Sequence, residues 1–405
     1  MSAALASPAD ARAYHASVQP HRPLRLAFLA DPNSVHTRRW IGFFAERGHD
    51  VHLLIGEGNR LQPDLNGKVA VHRYRRFGAW RLPLVSSLQG GTALRRLLAR
   101  IHPDVLHAHY LSGYGWQARL SGFHPYVVTI WGSDVFETPD RSIRERWWAR
   151  QTLGSADLVT VMTSDMRATA TALGARRDRV VKVQFGLDTD RFAPGPADLV
   201  LANRLGVAHR RIIFSPRAIQ PLYRHEIVAR AMAQLGNDVV VVMSARNADL
   251  AYLSRLRRLV KDLGVIDRVM ILDEISDADM VGLYRLADAV VSVPNSDGLP
   301  LSVLEAMACG RPIVASDLPG LREVLDGGMD DYLVPAGDTA ALNAALRRAL
   351  ALPVDQRETM GRHLRRLAMD FADYRTNMLL MEDHYRRLSA ERPSGAARDP
   401  RMGPC

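Results

Sequence analysis

The stretch from Ala287 to Glu323, ADAVVSVPNSDGLPLSVLEAMACGRPIVASDLPGLRE, constrains this chain more than any other. Ala289 to Val293 is a β-branched run with little polar alternation, the pattern of a strand covered on both faces. Pro294 closes it, and Asn295, Ser296, Asp297 and Gly298 are turn formers. The spacing predicts a helix next, with Pro300 near its first turn and Gly310 just past its end. Pro312 blocks continuation, and Ile313 to Ala315 opens another strand. A strand–turn–helix–strand unit of this kind is half of an open parallel sheet.

In such sheets ligands bind outside the carboxyl ends of the strands, beside helix N-termini. The turn from Asn295 to Ser302 occupies that place. The first amides of a helix lack intrahelical acceptors and its dipole favours an anion, so a phosphate is the natural guest. Asp297 and Glu305 bracket the turn with seven residues between them, and a carboxylate accepts hydrogen bonds from hydroxyls. Together these features suit a sugar nucleotide. A local alternative stays open: Ser302-x-x-Glu305 also fits a capping box, and Asp297 would then be an ordinary turn residue.

The string SDGLPLSVLEAMACGRPIVASDLPGLREVL closely resembles the donor site of the family-four retaining glycosyltransferases, glycosyl transferases group 1, whose signature is Glu-x7-Glu followed by Ala-Met-Ala-x-Gly-x-Pro. The resemblance implies an α/β chain of the GT-B fold: two Rossmann-like domains with the active site in the cleft between them. It implies a hexosyltransferase-class enzyme that moves a sugar, with retention, from a nucleoside diphosphate sugar to a hydroxyl acceptor, in cell-surface glycan or glycolipid synthesis. The ribose-binding role falls on Glu305. The sugar-facing, catalytic role falls on Asp297, where the family carries Glu, so the arm is one methylene shorter. Gly298, Leu299, Leu301 and Ser302 fall on the donor-binding turn. Upstream, Arg217 matches an Arg that grips the donor diphosphate. The family's companion Lys is missing, and Arg224 stands in the slightly longer loop AIQPLYRHE. A guanidinium is a sensible replacement because it grips phosphate oxygens bidentately.

At 405 residues the chain suits two domains. Residues 1–23 have no signal-like apolar core and are expected to be a disordered lead-in. Residues 24–195 are expected to form the acceptor domain and 196–375 the nucleotide-sugar domain, with Pro194-Gly195-Pro196 as the boundary. A helix over 376–392 should return to the first domain, and the Gly/Pro/Arg-rich 393–405 should be disordered. No apolar run reaches the roughly eighteen residues of a spanning helix. The two cysteines, Cys309 and Cys405, make no disulfide framework, so a reducing cytoplasm is expected. The net charge of +10 fits anionic substrates, an anionic membrane surface or an Arg-rich proteome, and does not choose among them.

In the first half, Leu24–Ala30, Val51–Ile55, Val105–Ala108 and Tyr126–Ile130 read as strands. A helix from about Val35 to Arg47 should bury Trp40, Phe43 and Phe44, and Thr92–Arg100 reads as a second. SVHTRRW resembles a subset of the family and makes His36 an acceptor-side candidate; His109 is another, while His107 is expected in the core. Trp131 stands where many relatives have His, and Phe185 where they have Asn, so a histidine role does not transfer. Asp134 is the nearest acid, able to bind or deprotonate an acceptor hydroxyl; the alternative is a turn aspartate. RSIRERWWARQ, Arg141 to Gln151, makes a basic-aromatic helix suited to anionic lipid unless Trp147 or Trp148 serves the core.

No His/Asp/Cys cluster has ligand spacing, and the resemblance implies basic side chains and a helix N-terminus in place of a metal. No cofactor is expected beyond the nucleotide sugar as substrate. The expected partners are that donor and a hydroxyl acceptor, lipid-linked acceptors included, with peripheral contact to an anionic membrane and no nucleic acid. The expected location is the cytoplasm, extending to the inner membrane face. The rival readings are a non-catalytic nucleotide-sugar-binding module and a phosphorylase or epimerase on the same fold.

Overall fold

The computed structural model describes residues 22–57, 67–74, 83–325 and 327–391, which form two units, each built on its own parallel sheet. The expected disordered tail, 393–405, and all of the expected lead-in, 1–23, except Arg22 and Pro23 lie outside the described residues. The first unit runs to Phe185 and resumes at Arg375. Its strands are β1 (Arg25–Leu29), β2 (Asp50–Gly56), β3 (Val69–Tyr74), β4 (Val105–His109), β5 (Tyr126–Thr129), β6 (Leu158–Val161) and β7 (Val180–Lys182). They lie in the order β3-β2-β1-β4-β5-β6-β7, all parallel. Central strands are covered on both faces, so β4 and β5 are buried at every residue. β3 was not expected, because its half-exposed VAVHRY lacks the apolar run of a central strand.

The Val35–Glu46 helix is capped by Ser34, whose Oγ accepts from the Thr37 amide, and it buries Trp40, Ile41 and Phe44 while Phe43 stays half-buried. The helix expected over Thr92–Arg100 begins earlier and spans Pro83–Ile101. The returning helix is present as Tyr374–Ala390. Its Tyr385 is wholly buried; the hydroxyl accepts from Trp40 Nε1 at 3.1 Å and pairs with His107 Nδ1, which keeps His107 in the core as expected.

The second unit, Gly186–Tyr374, contains β8 (Arg211–Ala218), β9 (Val239–Ser244), β10 (Val269–Leu272), β11 (Ala289–Ser292), β12 (Ile313–Ser316) and β13 (Leu333–Val334). Their order is β10-β9-β8-β11-β12-β13, again parallel throughout. The chain reverses its winding direction once in each sheet, between β1 and β4 and between β8 and β11. At such reversals the loops diverge and leave a crevice at the carboxyl edge.

The domain boundary differs from expectation. The crossing falls between Phe185 and Gly186, not at Pro194-Gly195-Pro196. Gly186 has φ +69°, and a Cβ there would sit 2.4 Å from Tyr374 Cα, so only glycine fits. Beyond it Leu187 bridges to Asp373, Arg365 donates to the carbonyls of Thr189 and Phe192, and Arg285 Nε donates to the Ala193 carbonyl at 3.0 Å. The Pro-Gly-Pro therefore lies in an irregular segment within the second unit. The return crossing, Tyr374 to Arg375, lies one residue from the expected position. Among the described residues no helix is long and apolar enough to cross a membrane.

Candidate active site

In the second unit β8 pairs with β11, Ile213 opposite Ala289 and Phe214 opposite Val290, so their carboxyl ends emerge side by side. That register brings Arg217 to the Asn295–Gly298 turn. Arg217 Nη2 donates to Asp297 Oδ2 at 2.8 Å, with both side chains 16% exposed, and the guanidinium carbon lies 4.0 Å from the Tyr223 ring centroid. Asp297 Oδ1 accepts from the Gly298 amide at 2.8 Å. Arg224 adopts the left-handed conformation, φ +54°, where the chain enters the His225–Met232 helix. Its Nε donates to Glu226 Oε1 and its Nη1 to Asn295 Oδ1, each at 2.6 Å, while the Tyr252 hydroxyl donates to the other Glu226 oxygen. Both arginines are thus tied to one turn from far away in sequence.

The next helix is Leu301–Ala308, and its N-cap is Pro300, which has no side chain able to cap. The amides of Val303 and Leu304 reach the Pro300 carbonyl; those of Leu301 and Ser302 precede the first residue with an intrahelical acceptor. Ser302 Oγ is buried and without a hydrogen-bond partner. The capping-box alternative is therefore removed: Ser302 lies inside the helix, and Glu305 accepts from the Tyr284 hydroxyl at 2.7 Å. Gly298 and Leu299 are buried and Leu301 half-buried, shaping the wall of the turn. Guanidiniums, an uncapped helix end and a serine hydroxyl are groups that can receive an anion, and the carboxylates of Asp297 and Glu305 can accept hydrogen bonds from hydroxyls.

In the first unit the acceptor-side candidates divide. His109 is 2% exposed and ringed by Trp40 at 5.1 Å, His107 at 4.6 Å and Phe28 at 5.9 Å. Neither ring nitrogen has a hydrogen-bond partner. Burial, aided by the nearby His36 charge, pushes its pKa down to about 3, so it is a neutral core residue, not an accessible acceptor ligand. His36 is half-buried, 5.0 Å from the Trp131 ring and 5.7 Å from the Phe185 ring. Trp131 and Phe185 stack on each other at 4.2 Å. Two positions that depart separately from the family pattern are thus one contact.

Asp134 is 1% exposed. Its Oδ2 accepts from the Leu111 amide at 2.7 Å, and its Oδ1 from the amides of Trp131 and Gly132 at 2.9 Å each. Burial pushes its pKa up to about 6, although the three amide bonds oppose that rise. These contacts match the turn alternative: the carboxylate ties the loop after β4 to the turn after β5. In the Ile143–Ser155 helix Trp148 is half-buried and stacked on Trp116 at 5.5 Å, whereas Trp147 is 50% exposed. One tryptophan serves the core and the other the surface. Tyr284, Glu226 and Tyr252 carry no local signal in the sequence, because their hydrogen-bond partners are set by the tertiary structure, and Asn295 was expected only as a turn former.

Residues 25–164 match the family model described as Glycosyl transferase 4-like, and residues 204–366 match Glycosyl transferases group 1. The D-inositol 3-phosphate glycosyltransferase of Mycobacterium tuberculosis is 33% identical over 305 residues, covering 71% of this chain and 62% of that protein. The enzyme of the same name from Mycolicibacterium smegmatis is 33% identical over 250 residues, 58% of this chain and 57% of the relative. The chain therefore spans only about three fifths of the length of these curated relatives. Among solved structures, HepE of Anabaena in complex with UDP superposes with a TM-score of 0.75 at 18% identity, covering 90% of this chain and 100% of that one. Sucrose-phosphate synthase from Thermosynechococcus elongatus gives 0.78 at 21% identity, covering 91% and 100%. At such identities these likenesses speak to the fold alone.

Proposed function

The chain belongs to the group 1 glycosyltransferases, family four of the GT-B fold, and from that premise we propose that it moves a sugar, with retention, from a nucleoside diphosphate sugar to a hydroxyl acceptor. The observation that carries the proposal is the convergence of Arg217, Arg224, Ser302 and Glu305 on the β8/β11 reversal. In the reaction the bond from the anomeric carbon to the diphosphate oxygen breaks, one to the acceptor oxygen forms, and the acceptor's hydroxyl proton passes to the departing diphosphate oxygen. Negative charge grows on the departing diphosphate. The two guanidiniums, the Leu301 and Ser302 amides and the Ser302 hydroxyl meet that charge from fixed positions, and preorganised donors of this kind lower the barrier. They supply the charge that a metal would, so the reading is metal-independent. Glu305 accepts from the ribose, and Asp297 faces the transferred sugar.

UDP is the first nucleotide to try, since HepE is described with UDP and with UDP-glucose. The names of the curated relatives make a phosphorylated cyclitol the first acceptor to try. The reading extends to work at the inner membrane face, supported by exposed Ile143 and Trp147 beside Arg144 and Arg150. Incubation with a panel of sugar nucleotides, with and without chelator and acceptor, followed by assay of free nucleoside diphosphate, tests the proposal. Acceptor-dependent release is the expected result. Binding without release favours the non-catalytic module, which the shortened Asp297 arm also suits.

A further inference from the structure

Tyr284 sits on the Asp277–Leu286 helix with no exposed surface, packed edge-on against Phe214 of β8 at 5.1 Å and Phe192 at 5.9 Å. Phenylalanine would satisfy that packing. The hydroxyl is therefore the feature to explain, since burying one is unfavourable unless it finds a partner. Its oxygen lies 2.7 Å from Glu305 Oε2 and 3.1 Å from the Ser302 carbonyl. Both are acceptors and the phenol has one hydrogen; the shorter, charged contact to the carboxylate is the stronger. Burial, with the Glu305 charge, raises the Tyr284 pKa well above its ordinary value, so the hydroxyl remains a donor at every working pH.

A glutamate has three side-chain torsions, and fixing them on ligand binding opposes affinity. Here one carboxylate oxygen is already held from a different helix, 21 residues away in sequence. We propose that Tyr284 is a positioning residue for donor recognition: its hydroxyl holds the Glu305 carboxylate in the orientation that reads the vicinal diol of a nucleoside diphosphate's ribose. This rests on the donor-site reading above and adds to it a residue that need not touch the ligand.

The test is calorimetric binding of UDP and of 2′,3′-dideoxy-UDP to the full chain, with GDP or ADP and their dideoxy forms used if one of those is the base bound. The proteins compared are the parent, Tyr284→Phe, Glu305→Gln and the double variant. The parent should prefer the ribose form. Tyr284→Phe should weaken UDP about tenfold and leave the dideoxy analogue unchanged, because one hydrogen bond to a charged group is lost. The double variant should bind no worse than Glu305→Gln. A merely structural tyrosine would weaken both ligands alike, or neither, and that outcome overturns the inference alone. A parent with no ribose preference overturns the ribose role of Glu305 as well, and a parent that binds no nucleoside diphosphate overturns the donor site altogether. If Tyr284→Phe does not fold, 13Cζ-tyrosine NMR of the parent decides. The signal displaced by Glu305→Gln should move with UDP and not with the dideoxy form, and equal movement with both refutes the idea.

Discussion

Arg217→Ala offers the most direct test of the donor site, because the residue has two jobs that separate in magnitude. As a phosphate ligand it should supply charge-assisted hydrogen bonds worth roughly 1.5–3 kcal/mol, or about ten- to a hundredfold in affinity. It also neutralises Asp297, 2.8 Å away, with both side chains only 16% exposed, so solvent does little of that work. Without the guanidinium that carboxylate would face the diphosphate. Two like charges about 6 Å apart at an effective dielectric near 20 repel by roughly 3 kcal/mol, which entering water reduces to about a third of that, on the order of 1 kcal/mol. Arg217→Ala should therefore weaken UDP by more than about a hundredfold. Arg224→Ala, whose partners are Glu226 and Asn295, should lose only the ten- to hundredfold ligand term, on the order of 1.5–3 kcal/mol. Adding Asp297→Asn to Arg217→Ala should recover about fivefold, a coupling that titration calorimetry of the four proteins reads as a double-mutant cycle. Unchanged binding in Arg217→Ala, or no recovery in the double variant, refutes the reasoning.

Three further outcomes are expected. Asp297→Asn alone should bind bare nucleoside diphosphate at least as well as the parent yet lose turnover, and Asp297→Glu should not speed transfer, since about 1 Å of misplacement at a reacting centre costs on the order of a hundredfold. Glu382, 4% exposed, is penalised by burial, but hydrogen bonds from His49, Arg47 and Arg386 outweigh this and hold its carboxyl far below the ordinary range. A depressed carboxyl stabilises above the unfolded-state pKa and loses that effect as pH falls through and below it, so Glu382→Gln should cost about 3 kcal/mol near neutrality and flatten the acid limb of stability against pH in denaturant titrations. Parallel limbs for the two proteins would show that the cluster is not responsible. Finally, sedimentation with anionic vesicles should retain the parent at low salt and release it at high salt, with Trp147→Ala weaker. Several arginines there already pair with Glu137, Asp140 and Glu145, so retention that ignores salt, or never occurs, removes the electrostatic account.

What the sequence determined by itself is whatever is encoded locally. Buried β-branched runs, Pro294 and Gly310 as punctuation, and the Asn295–Ser302 turn placed the strands, the helix and the candidate anion site to within a residue or two of where they stand. Arg217 and Arg224 were singled out through the family resemblance, and Glu305 through that resemblance and its spacing from Asp297. Tertiary structure decided the partners. Whether Ser302 caps the helix depends on where the backbone enters it, and Pro300 takes that position. Whether Asp134 is a base or a clamp depends on three amides from two loops, one of them 23 residues away. The boundary moved because Leu187, Thr189, Phe192 and Ala193 are held by Asp373, Arg365 and Arg285 of the second unit, which no turn signal at Pro194 reports. Tyr284 is the clearest instance: its helix pattern asks for a large apolar side chain, and only the tertiary placement of its helix beside the Leu301–Ala308 helix brings Glu305 within reach of its hydroxyl. Periodicity specifies which face of an element is buried; the polar partner met on that face is fixed only when the sheets assemble.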